Sequence, residues 1–131
     1  MDVFDELEQQ FEVWEQFPQL ITIKTSDREY RLKACERGKD FLTGLEQNQR
    51  VFLSLGAVEA MSQPVSQTSS LALSQALEEI QLPQRVLLHR KNRQVWWLGL
   101  YEGHLRFKDH LETFYLPIAN LRNLVLVAVD N

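Results

Sequence analysis

The sequence predicts a mainly β protein with helices, built as two tandem five-stranded small barrels that are each preceded by an α-helix. Three observations support this fold class. Short runs of β-forming residues alternate with turn residues at close spacing, which is typical of small antiparallel barrels. Two segments with helical periodicity each precede such a group of strands. The second half of the chain also repeats the plan of the first half.

The repeat becomes visible when the chain is shifted by 63 positions (95 − 32), which places Val95 on Leu32. The same shift places 114–118, FYLPI, on 51–55, VFLSL. Few aligned residues are identical, so the evidence for duplication is the shared order of helix, turns and apolar positions.

This repeat defines the predicted domain organisation. Residues 1–61 form an N-terminal helix plus the first barrel, and 71–131 form a helix plus the second barrel. Between them, 62–70 is polar, small and carries Pro64, as linkers do.

Both helices are predicted from apolar periodicity and from their ends. The first covers about 2–16, where apolar residues recur every three or four positions, and Pro18 stops it. The second begins after Ser69 or Ser70, either of which can cap a helix, and runs to about Ile80.

The strands are predicted from β-branched and aromatic residues bounded by polar or glycine-containing turns. They are expected at 20–25, 29–36, 41–45, 50–55 and 58–61 in the first half, and at 85–89, 94–101, 105–108, 113–118 and 121–129 in the second.

Three segments carry a resemblance to a known family. Residues 21–32, ITIKTSDREYRL, resemble the first motif of Sm-like proteins. Residues 51–61, VFLSLGAVEAM, and 114–124, FYLPIANLRNL, resemble the last two strands of an Sm-like or SH3-like barrel, joined by a helical turn. The whole layout is similar to uncharacterised actinobacterial proteins with two such barrels. The resemblance implies two tandem Sm/SH3-like barrels, and it implies no activity.

The loops differ from those of RNA-binding Sm proteins. Such proteins carry a basic residue followed by glycine between the fourth and fifth strands, whereas 54–57 reads SLGA and 117–120 reads PIAN. The resemblance therefore does not imply ring-type uridine binding.

Composition excludes several classes of protein. The net charge near −4 argues against a general nucleic-acid coat, and no DNA partner is expected. The N-terminus lacks the pattern of a signal peptide, and no window approaches the apolar length of a membrane span. With a single cysteine, a cytoplasmic location without a membrane partner is the expectation.

No catalytic constellation is apparent, so the chain is not predicted to be an enzyme. Cys35 lies in a predicted strand without an evident base, and His104 and His110 stand six positions apart (110 − 104), which matches no common metal spacing. We expect no catalytic residues, no metal and no cofactor.

The strongest charged feature is a basic cluster that precedes two tryptophans. Basic residues beside aromatic ones can hold a nucleic-acid backbone and stack bases. The residues predicted to bind RNA are Arg85, His89, Arg90, Lys91, Arg93 and Trp96. The alternative is a solvated hairpin tip with one tryptophan in the core.

Trp96 and Trp97 are adjacent, so in a strand they must face opposite sides of the sheet. The sequence does not decide which of the two enters the core.

These observations favour a non-enzymatic binding or scaffold module with a protein partner. RNA binding through 85–97 is one alternative, and a structural subunit that associates with itself through strand edges or the N-terminal helix is another.

Overall fold

The computed structural model describes residues 20–88 and 94–127. The strands are β1 (Ile21–Thr25), β2 (Glu29–Arg37), β3 (Phe41–Glu46), β4 (Gln49–Ser54), β5 (Val58–Met61), β6 (Gln84–Leu88), β7 (Gln94–Tyr101), β8 (His104–Lys108), β9 (Thr113–Pro117) and β10 (Asn123–Leu126). Short 3₁₀ turns cover Leu55–Ala57 and Ile118–Asn120, and helix α1 covers Leu73–Glu78. The predicted N-terminal helix and the end of the last predicted strand lie outside these residues.

The strands of the described residues form one open antiparallel sheet, in the order β5-β1-β2-β3-β4-β10-β6-β7-β8-β9. The prediction of two closed five-stranded barrels, each preceded by a helix, is therefore wrong. The reason is that β4 pairs with β10 of the second half, with Leu53 opposite Asn123 and Val51 opposite Val125. Strand β4 therefore joins the two halves into one sheet and does not pair with β5 to close a barrel within the first half. Within the described part of the chain, α1 is also the single α-helix.

Strand β4 is buried on both faces, and this explains why it lies in the middle of the sheet. Val51 and Leu53 enter one hydrophobic core, while Phe52 between them enters the other. Val125 and Leu124 on β10 divide between the two cores in the same way. A strand at an exposed edge would leave one of these apolar sets in water.

The two cores are named here by the half of the chain that dominates each. The first core contains Ile21, Ile23, Tyr30, Leu32, Leu42, Val51, Leu53, Val65 and Val125. The second core contains Phe41, Phe52, Leu73, Leu77, Val86, Leu88, Val95, Trp97, Leu105, Phe107, Leu121 and Leu124.

The strand pairings of the two halves correspond at the offset read from the sequence. Lys33 lies opposite Leu45, and Trp96 lies opposite Lys108, which is the same pair moved by 63 (96 − 33 and 108 − 45). A β-bulge follows this pair in both halves. This shared register agrees with a duplication of one ancestral unit. The duplication itself stays a prediction.

Helix α1 is shorter than predicted and has a different cap. Neither Ser69 nor Ser70 caps it, because the helix begins only at Leu73. The Leu73 N–H instead donates to Oδ1 of Asp40 at 2.7 Å, and the Ala72 N–H donates to Oε1 of Gln75. A carboxylate from the β2–β3 turn thus satisfies a free helix N–H group.

The segment predicted as a linker packs on the first half. Val65 is buried in the first core. The N–H groups of Thr68 and Ser69 both donate to the carbonyl of Arg37. Gln67 also forms an isolated parallel β-bridge with Arg37. These contacts fix the path from β5 to α1.

Candidate nucleic-acid interface

The adjacent tryptophans of β7 occupy opposite environments. Trp97 is fully buried in the second core, and its indole N–H donates to the Gly99 carbonyl at 3.1 Å. Trp96 points to the other face of the sheet and keeps 45% of its surface exposed. The question that the sequence left open is thus answered, because Trp97 is the core residue.

Trp96 pairs with a predicted basic residue. Arg85 on β6 lies directly opposite it, and the guanidinium carbon lies 5.6 Å from the centre of the indole ring. A guanidinium above an indole is a favourable cation–π arrangement. Two of the six predicted RNA-binding residues are therefore in contact on one exposed surface.

Neighbouring strands extend this surface with further basic residues. Lys108 on β8 lies opposite Trp96 on its other side. Arg106 stands two positions before Lys108, so it projects from the same face. Leu105 and Phe107 alternate with these cations and are fully buried in the second core.

Two exposed tyrosines complete the surface. Tyr115 on β9 lies opposite Arg106 and is 51% exposed. Tyr101 at the end of β7 is 56% exposed, and its ring centre lies 6.2 Å from that of Tyr115. Aromatic rings that stay in water on a sheet face are available to stack on another flat group.

We name this surface the aromatic–basic face. It comprises Arg85, Trp96, Tyr101, Arg106, Lys108 and Tyr115, all of them exposed.

The cations of this face have no carboxylate partner within the described ranges. Among the described residues, no acidic side chain forms an ion pair with Arg85, Arg106 or Lys108. The exposed acids Glu102 and Glu112 lie off these strands, in the β7–β8 and β8–β9 connections. The face therefore presents local positive charge although the whole chain is acidic.

The sequence predicts only part of this face. Arg85 and Trp96 are among the predicted residues, whereas the residues on β8 and β9 are not. A signal was present, since Arg106 and Lys108 alternate with apolar residues, as on a strand with one face in water. Their alignment with Trp96 depends on strand register, which the sequence did not provide.

The other predicted site residues lie outside the described residues. His89, Arg90, Lys91 and Arg93 fall between Leu88 and Gln94 in the sequence. Their part in binding stays a prediction.

Cys35 and the possible metal ligands are the remaining chemical candidates in the part of the chain that the structure describes. Burial raises the pKa of the half-buried Cys35 thiol, and the charge of Glu36 acts in the same direction, so the nucleophilic thiolate is disfavoured. In the described ranges, no group of His, Cys, Asp and Glu side chains is arranged to hold a metal ion. No helix in those ranges is long and apolar enough to span a membrane.

Comparison with family models, curated proteins and solved structures finds no significant match to this chain. The resemblance to Sm-like and actinobacterial proteins is therefore untested and stays an expectation from the sequence.

Proposed function

We propose that this protein is a non-enzymatic binding module that holds single-stranded RNA on the aromatic–basic face. The observation that carries the proposal is that three exposed aromatic rings share one face of β6–β9 with three cations, none of which pairs with a carboxylate of residues 20–88 or 94–127. Exposed rings stack on unpaired bases, and cations between them attract the phosphates that link those bases.

Single-stranded RNA suits this surface better than a duplex. The bases of a duplex are stacked on each other and are inaccessible to a flat sheet, whereas unpaired bases can turn towards Trp96, Tyr101 and Tyr115. Each base stacked on an aromatic ring contributes about 1–3 kcal/mol. The cations attract phosphate without selecting sequence, so weak sequence preference is expected.

The test is the affinity of the full chain for a fluorescent single-stranded RNA pool at low salt, measured by anisotropy. The variant Arg106→Glu with Lys108→Glu reverses two charges on the face, and we expect it to weaken binding at least about tenfold. The control Lys24→Glu with Lys39→Glu makes the same change in net charge at exposed sites of the first half and should bind like the wild type. Equal weakening by both double variants would contradict the proposed site.

A protein partner on the same face is the competing outcome. Exposed aromatic residues and arginine are also enriched in protein interfaces. In that case the RNA pool would not bind, and the RNA proposal would be rejected. A cytoplasmic location, with neither DNA nor membrane as partner, remains the expectation that accompanies the proposal.

A second candidate function, self-association, is favoured by the free edges of the sheet. In the described residues, β5 and β9 each have a neighbour on one side only. The internal β4–β10 junction joins the fourth strand of one half to the fifth strand of the other. The two outer strands repeat this combination, because β9 is the fourth strand of the second half and β5 is the fifth strand of the first half. Strand β9 of one molecule could therefore pair with β5 of the next in the same way.

Light scattering tests this second candidate directly. Repeated edge pairing predicts a mass above 15.4 kDa that rises with protein concentration. Replacing Tyr115 on β9 with proline removes an edge N–H group and should shift the mass towards the monomer. A monomer at all concentrations would reject self-association and leave the RNA proposal unaffected.

A further inference from the structure

The aromatic–basic face has an equivalent place in the first half of the sheet. Arg106 lies opposite Tyr115, and Thr43 lies opposite Phe52, which is the same pair 63 positions earlier (106 − 43 and 115 − 52). Directly paired residues point to the same side of a sheet, so these two pairs mark equivalent places on the two halves.

This side of the sheet is covered in the first half and open in the second. Thr43 and Phe52 are both buried, whereas Arg106 and Tyr115 are exposed. The two places therefore share a register, and only the first is covered within the described part of the chain.

The first half is covered by the segment 69–80, which contains α1. Leu71 and Ile80, near the two ends of this segment, line a cavity together with Phe52. Leu77 on α1 is buried in the same core as Phe52. We name 69–80 the covering segment, because it removes an apolar part of the sheet from water.

The covering segment corresponds to 6–17, ELEQQFEVWEQF, at the same offset (69 − 63 and 80 − 63). Trp14 takes the position of Leu77, and Phe17 takes the position of Ile80. Segment 6–17 thus keeps the apolar character of the residues that cover the first half. The surface equivalent to the covered one is the aromatic–basic face.

Distance along the sheet favours contact with a second copy over contact within one chain. Strand β1, which follows 6–17, lies eight strands from β9, or roughly 38 Å at about 4.8 Å per strand. The residues from Phe17 to Leu20 span only about 10 Å. When β9 pairs with β5 of a second copy, β1 of that copy lies two strands away, or about 10 Å, which is within this reach.

Charge distinguishes the open surface and its segment from the covered pair. Arg106 and Lys108 stand where the first half has Thr43 and Leu45. Segment 6–17 carries four glutamates and no basic residue. Cations on the face are thus matched by carboxylates on the segment, and such complementarity selects a partner.

We propose that segment 6–17 of one molecule binds the aromatic–basic face of a second copy. The contact repeats the way in which the covering segment lies on the first half, with Phe17 over Tyr115 and the glutamates beside the basic residues. The proposal rests on the second candidate function, self-association, and names the two surfaces that meet. Because RNA is proposed to use the same face, RNA binding and this association should exclude each other.

A charge exchange between two full-length variants tests the proposal, with mass measured by light scattering without RNA. The face variant carries Arg106→Glu and Lys108→Glu, and the segment variant carries Glu8→Lys and Glu12→Lys. Each variant alone brings like charges together, so its dissociation constant should rise at least about tenfold above that of the wild type. An equimolar mixture should associate again, because the acidic face of one variant meets the basic segment of the other. Unfolding of a variant would not be reversed by mixing.

Two control variants make the same changes in net charge at exposed positions elsewhere. Lys24→Glu with Lys39→Glu matches the face variant, and Glu29→Lys with Glu78→Lys matches the segment variant. Both should associate like the wild type. A wild type that associates no better than the face and segment variants would overturn the proposal and leave edge pairing in place. A wild type and a mixture that both stay monomeric would reject this proposal and self-association together.

Discussion

At the scale of single residues, the two adjacent tryptophans are expected to have different roles. We expect Trp97 to contribute to stability and Trp96 to contribute to binding. Trp97 fills the second core, so Trp97→Ala should lower the free energy of unfolding by about 3–5 kcal/mol. Trp96→Ala removes an exposed ring and a cation–π contact, and it should cost about 1 kcal/mol or less. Denaturant unfolding of both variants checks this contrast. Equal losses of stability would contradict the assignment of Trp97 to the core.

The carboxylate of Glu46 makes the stability of the first half depend on pH. Burial alone would raise its pKa, but hydrogen bonds from Arg28 and from the Arg31 N–H, together with the Arg28 charge, outweigh burial and lower the pKa below the usual 4.5. Because the folded pKa is depressed, this stabilisation is present above pH 4.5 and is lost as the pH falls through the folded pKa.

The substitution Glu46→Gln should therefore lower the melting temperature near neutral pH and have less effect at about pH 3. The side chains of Arg28 and Glu46 keep 45% and 22% of their surface exposed, so water screens the pair and we expect a loss below about 1 kcal/mol. Glu59→Gln, at an exposed position without an ion pair among the described residues, is the control. An effect of Glu46→Gln that does not vary with pH would contradict the role of its charge.

At the scale of elements, helix α1 depends on a cap from a distant turn. Asp40→Ala leaves the Leu73 N–H without its acceptor and should cost about 0.5–2 kcal/mol. Asp40→Asn retains a side-chain oxygen and should cost less. Denaturant unfolding of the two variants measures the difference. A neutral Asp40→Ala would show that the helix does not need this cap.

The elements also show what the sequence could predict. The predicted strands match the observed ones closely because each run of β-branched and aromatic residues ends at a short polar or glycine-containing turn. Gln47 and Asn48 adopt positive φ between β3 and β4, and Glu102 and Gly103 do so between β7 and β8, as two-residue hairpins require. Such local chemistry is readable from the chain itself.

Contacts between distant segments could not be predicted in the same way. The pairing of β4 with β10 joins residues far apart in sequence, and the cap of α1 comes from Asp40 in another turn. One clue to the first was the run Val51-Phe52-Leu53, because three consecutive apolar residues indicate a strand covered on both faces. For the binding face, alternation identified exposed positions on single strands, but only the register brought Arg106 and Lys108 beside Trp96.

At the scale of the whole molecule, strands β4 and β10 link the two cores, so the described halves should unfold together. Phe52 lies on a first-half strand but is buried in the second core. Phe52→Ala should therefore reduce the hydrogen-exchange protection of both the Leu32 and the Phe107 amides, each by about 3–5 kcal/mol. Reduced protection of Phe107 alone would show that the halves unfold separately.

The salt dependence of RNA binding shows whether the aromatic–basic face holds single-stranded RNA through its cations. With three cations each contributing about 0.7 to the slope, log K should fall with log salt concentration at a slope of about −2 or steeper. Lys108→Gln should reduce the magnitude of the slope by about 0.7. A wild-type slope near zero, or no binding at low salt, would contradict the claim.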